Sequence, residues 1–331
     1  MLMVSGFVFC ALVIFFTGKK LAFYGDLLAE KTGLSKGWIG LILMASVTSL
    51  PELMVGISSS AIVQSPDLAT GDVFGSCAFN LGILAMLDAF IPGKKSLSGV
   101  ASATHMLNAG LSIVLVAMAG LAVFLPRDIY ITPWIGVSSI IFIVVYFVSV
   151  RIIYKNEQNH IADHVQAQSH IITGSLTLRQ IIARYSGLAL VIVSAALALP
   201  YFAEHIAEMS GLKTSFVGTF FLALSTSLPE VAVSIAAIRS GSIDLAVGNL
   251  LGSNIFNVFI LAVDDLFYTK GLLLKDASDV HLVSAFSVVM MTAVVIIGLS
   301  YKAQGKRFFL ASDALVIFIL YILNLLMLAV L

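Results

Sequence analysis

The stretch TSLPE occurs twice in the chain, at Thr48–Glu52 and at Thr226–Glu230, each time inside a long apolar run. A glutamate beside a helix-breaking proline is costly in such a run, so its duplication decides how the rest is read. In a wider window, 45–57 (ASVTSLPELMVGI) aligns with 223–235 (ALSTSLPEVAVSI) at an offset of 178, with eight identities in thirteen positions. Further on, 67–80 (DLATGDVFGSCAFN) aligns with 244–257 (DLAVGNLLGSNIFN) at an offset of 177, with eight identities in fourteen. The sequence therefore reads as two related halves.

Apolar residues make up 60% of the 331, charged residues only 11%, and mean hydropathy is +1.05, which excludes a soluble globular domain. Formal net charge is zero, so no basic face invites nucleic acid. Cys10 and Cys77 lie in apolar segments and read as free thiols. The opening MLMVSGFVFCALVIFF reads as a first span rather than a cleaved leader, having no basic stretch before it.

Apolar runs and their Pro, Gly and polar punctuation predict ten spans, at 3–31, 36–64, 67–91, 101–125, 131–154, 179–209, 214–239, 243–267, 279–300 and 310–330. The fold class expected is an all-α polytopic membrane protein whose ten transmembrane helices form two inverted five-helix repeats. The first repeat covers 1–154, a polar linker 155–178 and the second, inverted repeat 179–331. An odd number of spans per half forces the second half to enter the membrane in the opposite sense, the plan of secondary transporters with a midplane site. Twelve basic residues on one side against four on the other place both termini outside and the linker in the cytoplasm. His160, His164 and His170 with Asp163 are expected in a solvated linker, His105, His205 and His281 at the interface, and Asp88 and Asp265 solvated near helix ends.

Pro51 and Pro229 lack the N–H that would bond the carbonyl four residues earlier, so each helix is expected to break around Val47 and Ser225. Carbonyls freed at membrane depth must line a cavity or meet a cation. Thr48, Ser49 and Glu52, with Thr226, Ser227 and Glu230, add hydroxyl and carboxylate oxygens at the same places. The next helix of each half carries a polar stripe at i, i+4, i+8: Asp72, Ser76 and Asn80, then Asn249, Ser253 and Asn257. These serve either as cation ligands or as interhelical hydrogen-bonding glue. Gly71, Gly75, Gly248 and Gly252 beside them permit close packing. No buried Lys or Arg at matching positions neutralises the glutamates. A divalent cation does, and Ca²⁺, which takes about six to eight oxygens, suits the donors better than Mg²⁺.

At these residues the chain resembles the sodium/calcium exchanger family of the cation/calcium antiporter superfamily, prokaryotic type, whose two repeats read approximately G-T-S-L-P-E and G-N-x-x-G-S-N-x-x-(D/N). The resemblance implies Glu52 and Glu230 as principal cation ligands, helped by Thr48, Ser49, Thr226, Ser227, Ser76, Ser253, Asn80 and Asn257, with backbone carbonyls near Ala45 and Ala223. It also implies that the first and sixth helices slide across the other eight. The chain departs from the pattern at Val47 and Ser225, which replace glycine, at Cys77, which stands where the second half has Asn254, and at Asn257, where some sodium-coupled members have aspartate. Asp72 replaces the expected asparagine and is read as restoring that charge.

The function expected is secondary active exchange of Ca²⁺ for Na⁺ by alternating access. The alternatives are a Ca²⁺/H⁺ antiporter and a cation channel. An intramembrane aspartyl protease is disfavoured, because no G-x-G-D sequence is present and the paired motif would go unused; the chain is not expected to be an enzyme. No cofactor is expected beyond the transported Ca²⁺ and Na⁺, or H⁺, and no obligate protein partner beyond the lipid bilayer. The location expected is the plasma membrane of a prokaryote.

Overall fold

The computed structural model describes residues 2–32, 47–91, 93, 95–125, 129–161, 176–302, 305–306 and 309–331, without the side chains of 26, 29, 30 and 157–161. Its main helices are α1 (Leu2–Thr32), α2 (Leu50–Ser58), α3 (Pro66–Leu87), α4 (His105–Phe124), α5 (Val137–Ile161), α6 (Leu178–Ser210), α7 (Ala223–Thr226), α8 (Leu228–Arg239), α9 (Ile243–Phe267), α10 (His281–Tyr301) and α11 (Ser312–Val330). Among the described residues eight helices are long and apolar enough to cross a membrane. A ninth crossing results if Thr214–Thr226 and Leu228–Arg239, bent by 45°, count as one. Of the expected span 36–64, only the part from 47 onward lies within the described residues. There the apolar helix Leu50–Val63, with its π-helical end Ser59–Val63, is too short to cross alone.

Two boundaries differ from expectation for local reasons. The span expected from 131 begins at Val137, because Pro133 and Trp134 turn a small antiparallel ribbon, Tyr130–Thr132 with Ile135–Gly136. The linker expected from 155 begins later, since α5 runs on to Ile161 through residues that favour helix once apolar packing ends. Asp163, His164 and His170, like the side chain of His160, lie outside the described residues.

Burial sorts the helices. The apolar windows of Pro66–Phe90 and Ile243–Phe267 are 83% and 72% buried, whereas the window in Leu2–Gly25 is 22% buried. Helices α3 and α9 therefore form the centre, and α1 turns Phe9 and Phe16 outward toward the bilayer. Helix α1 packs along α6, and its Gly18 lets it pass close over Pro229: a Cβ there would fall 2.4 Å from the proline ring.

Polar side chains join elements far apart in sequence, and they do so twice. His281 Nε2 donates to Asp67 at 2.9 Å and the Ser278 N–H to the same oxygen at 2.7 Å. His105 Nε2 donates to Asp244 at 3.1 Å, and the Ser102 N–H to that oxygen at 2.7 Å. Both aspartates stand in the first turn of their helix, where the dipole favours negative charge. His105 and His281 are thus buried partners rather than interfacial residues. Asp88 and Asp265 are likewise buried rather than solvated. Asp88 accepts from the N–H groups of Leu97 (2.6 Å) and Ala311 (2.7 Å), and Asp265 from those of Leu273 (2.9 Å) and Gly136 (3.3 Å). Both carboxylates are spent on capping the chain as it leaves a central helix.

Replacing Asp88 by Ala strands two buried N–H groups, so the melting temperature of the purified protein should fall by on the order of 10 °C. Asp88→Asn, which keeps one acceptor, should recover part of the loss in a thermal size-exclusion assay.

Candidate cation site

The two TSLPE segments break their helices at Ser49 (φ −92°, ψ 19°) and Ser227 (φ −84°, ψ 8°), two residues later than expected. The reason is that Pro51 and Pro229 occupy the first turn of the helix that follows, where a missing N–H costs nothing. Glu52 and Glu230 fall in that same first turn, among outward-pointing N–H groups and at the positive end of the helix dipole.

Each break serves the other half's glutamate. Ser49 Oγ donates to Glu230 Oε1 at 3.1 Å and Ser227 Oγ to Glu52 Oε1 at 2.9 Å. Thr48 also reaches Glu230 and Thr226 reaches Glu52. Ser253 Oγ lies 3.5 Å from Glu230 Oε1, and Ser76 Oγ lies 3.4 Å from Thr226 Oγ1. These eight side chains are at most 6% exposed. The second oxygen, Oε2, of each glutamate has no protein partner. Among the described residues no group of three or more His, Cys, Asp or Glu side chains is placed to hold a metal. The centre is instead two carboxylates surrounded by hydroxyls.

The polar stripes meet where α3 crosses α9. Asn80 Nδ2 donates to Asn254 Oδ1 at 3.0 Å, Asn254 Nδ2 to the Cys77 carbonyl at 3.2 Å, and Asn257 Nδ2 to Cys77 Sγ at 3.7 Å. The carbonyl oxygens of Asn80 and Asn257 have no partner. One end of each amide ties the helices together and the other stays free to accept a cation, so the two readings of these residues are not exclusive. Thr226 Oγ1 lies 3.1 Å from Asp72 Oδ1, while Asp72 Oδ2 is unpartnered. Asn249 is set apart, donating to Ser234 Oγ at 3.4 Å. The Ala223 carbonyl already accepts the Ser227 N–H at 3.1 Å, and Ala45 lies outside the described residues. Gly71 and Gly75 bring α3 onto the backbone before the second break: a Cβ at Gly75 would stand 2.3 Å from the Thr219 carbonyl oxygen.

Two residues near this centre escaped the sequence reading. Asn254 was marked only as the counterpart of Cys77, though an amide facing a thiol across the repeat is itself a signal. Asp264 is fully buried with neither oxygen partnered. Its signal was its place two turns beyond Asn257 on the same helical face.

The model of the sodium/calcium exchanger protein family matches residues 2–155 and 181–330, and the chain belongs to that family. The putative antiporter CaxA of Alkalimonas amylolytica is 30% identical over 92% of both chains. The sodium/calcium exchanger MaX1 of Methanosarcina acetivorans is 28% identical over 73% of this chain and 76% of its own. In fold, the chain matches the sodium-calcium exchanger NCX_Mj (TM-score 0.60, 21% identity, 97% of both chains). It also matches the H⁺/Ca²⁺ exchanger CAX (TM-score 0.75, 13% identity, 98% of this chain and 82% of that one). The protein is thus a polytopic helical member of a cation/calcium antiporter family.

Ser49→Ala and Ser227→Ala each remove one donor to a buried carboxylate and should weaken cation binding about tenfold, by similar amounts. Competition with radiolabelled Ca²⁺ on the purified protein measures both; a loss confined to one variant would contradict the reciprocal arrangement.

Proposed function

We propose that the protein is a secondary active antiporter exchanging Ca²⁺ for Na⁺ by alternating access. The observation that carries this reading is the reciprocal arrangement at the breaks: two buried glutamates, each held by the other half's serine and each with an oxygen left over. Glu52 and Glu230 supply the charge that balances a divalent ion. Thr48, Ser49, Thr226, Ser227, Ser76 and Ser253, the free amide oxygens of Asn80 and Asn257, the carboxylate of Asp72 and the carbonyls near Ala45 and Ala223 are candidates to complete about six to eight oxygens.

Exchange rather than leak follows from cost. Closing the site with both carboxylates charged and empty is unfavourable by several kcal/mol, so the return step requires a replacement cation. The moving part we assign is α1 with α6, which pack along each other and over the second break. The architecture we assign is ten spans in two inverted five-helix halves. Both termini lie outside, the linker is cytoplasmic, and the setting is a prokaryotic plasma membrane. The repeated Asp–His pairs, 214 and 139 residues apart in sequence, support the two-half plan. MaX1, a relative named as a sodium/calcium exchanger, supports Na⁺ as the counter-ion. Asn257, neutral where some family members have aspartate, favours protons as the second reading.

Proteoliposomes loaded with Na⁺ should accumulate radiolabelled Ca²⁺, and vesicles holding only a proton gradient should not; the opposite result would make protons the coupling ion. Glu52→Gln and Glu230→Gln should each abolish this flux while eluting as the folded protein, and wild-type flux in both would sink the assignment.

A further inference from the structure

We propose that the seam between α1 and α6 carries a seat for the phosphate of an anionic phospholipid, built by Lys20, Tyr24 and Arg184. The seat does not depend on which cation is exchanged; it rests on the proposed function only in that α1 and α6 are the moving part. The two helices run antiparallel. Gly6, near the start of α1, faces the ring of Phe202 late in α6, and Gly25 faces Tyr185 near the start of α6. Arg184 closes that second end: its guanidinium donates to Tyr24 Oη at 2.9 Å and stands 5.8 Å from the centre of the same ring.

Lys20 stands one turn before Tyr24 on the same face of α1, with Lys19 beside it. Both lysines and Arg184 are exposed, whereas Lys275 and Lys306 spend their ammonium groups on backbone carbonyls. The ion pairs of the described residues fall elsewhere, on Asp67 and Asp244, so no described carboxylate neutralises these three cations. Arg184 gives Tyr24 one N–H and keeps the rest of its fork, and the Tyr24 hydroxyl, having accepted, still has its own proton to donate. A phosphodiester, whose unesterified oxygens only accept, matches a guanidinium fork, an ammonium and a hydroxyl proton.

The seat stands where the apolar spans end. That of α1 covers Leu2–Gly25 and that of α6 begins at Leu178, so Lys20 lies in the last turns of one and Arg184 in the second turn of the other. Toward the bilayer centre the surface turns apolar. On α1, Phe16 and Leu12 precede Lys20 at steps of four, and on α6, Val191 follows Arg184 at a step of seven; all three are exposed. Between Arg184 and Val191, Gly187 leaves open space, with nothing within 4 Å of a Cβ built there. A bare slot that runs from a cationic end into apolar surface takes a headgroup and an acyl chain, whereas a soluble anion would leave the slot and the apolar stripe unused.

The charge of the occupant follows from the same residues. With the seat empty, Lys20 and Arg184 present like charges to each other across the seam; an anionic headgroup turns that repulsion into a bridge. The bridge joins α1 to α6 and to nothing else, so the pair moves as one body with its lipid. Exchange should therefore be faster in a bilayer that supplies anionic headgroups.

The test is native mass spectrometry of the purified full-length protein, delipidated in a neutral detergent and titrated with phosphatidylglycerol or with phosphatidylcholine. Phosphatidylglycerol should be retained in preference, and Lys20→Gln/Arg184→Gln should weaken its retention about thirtyfold, the loss expected for two interfacial basic groups. Lys213→Gln/Lys270→Gln, which removes two exposed basic residues elsewhere, should leave retention unchanged. In phosphatidylcholine vesicles, added phosphatidylglycerol should raise cation exchange severalfold in the wild type and not in the Lys20→Gln/Arg184→Gln variant. Four results would overturn the proposal: phosphatidylcholine retained as tightly as phosphatidylglycerol, equal retention by the wild type and that variant, displacement of the lipid by inorganic phosphate, or an equal rise in exchange in both proteins. Retention is read without any cation gradient, so failure of the exchange reading and failure of this seat are distinguished.

Discussion

A carboxylate that neither water nor a basic side chain reaches is held only by the dipoles aimed at it. At the centre of this protein those dipoles come from the opposite half: the serine of one TSLPE segment donates to the glutamate of the other. That requirement accounts for much of the surrounding structure. Each proline must sit in the first turn after its break, so that the glutamate lands among free N–H groups. Gly75 must be bare so that α3 can approach the second break, and Gly18 so that α1 can pass over it. Neither half completes a site alone, because each lacks the hydroxyls that its own carboxylate needs.

Much of this was legible in the sequence because the repeat makes two independent observations of each functional position. Thr48, Ser49, Glu52 and their counterparts could be singled out by duplication alone, and the structure brings them together. The span ends were legible where apolar composition stops abruptly, as at α9, and less so at 131–136, where Pro133 turns a ribbon that hydropathy cannot see. The break positions were misplaced by two residues because the reading followed the carbonyl that proline frees rather than the helix that proline begins. His105, His281, Asp88 and Asp265 were taken for surface groups because proximity to a helix end says nothing of what another segment lays over it. Asp264 has no counterpart in the other half, and a reading built on repetition passes over what is not repeated.

The halves are alike at the crossing Ser–Glu hydrogen bonds and unlike around Asp72, Gly56 and Asp264. Duplication supplies a symmetric centre, and symmetry alone gives an exchanger no preference for which ion meets it from which side. Substitution at a few positions flanking the repeated Thr, Ser and Glu residues breaks that equivalence while leaving the crossing hydrogen bonds intact. The asymmetry at these positions is one of charge: the first half has Asp72 where the second has the neutral Asn249, and the second has Asp264 where the first has Leu87.

The Asp–His pairs carry a consequence for how the chain is made. Asp67 is bonded by His281 and by the Ser278 N–H, which leave the ribosome 214 and 211 residues later. At a synthesis rate of about 5–20 residues per second, the first half waits roughly 10 to 40 s before that partner exists. Over that interval Asp67 must remain near water at the start of its helix, and the glutamate of the first break has no serine from the second. The first half is thereby made before the partners that complete its hydrogen bonds, so its final packing around Asp67 follows synthesis of the late helices.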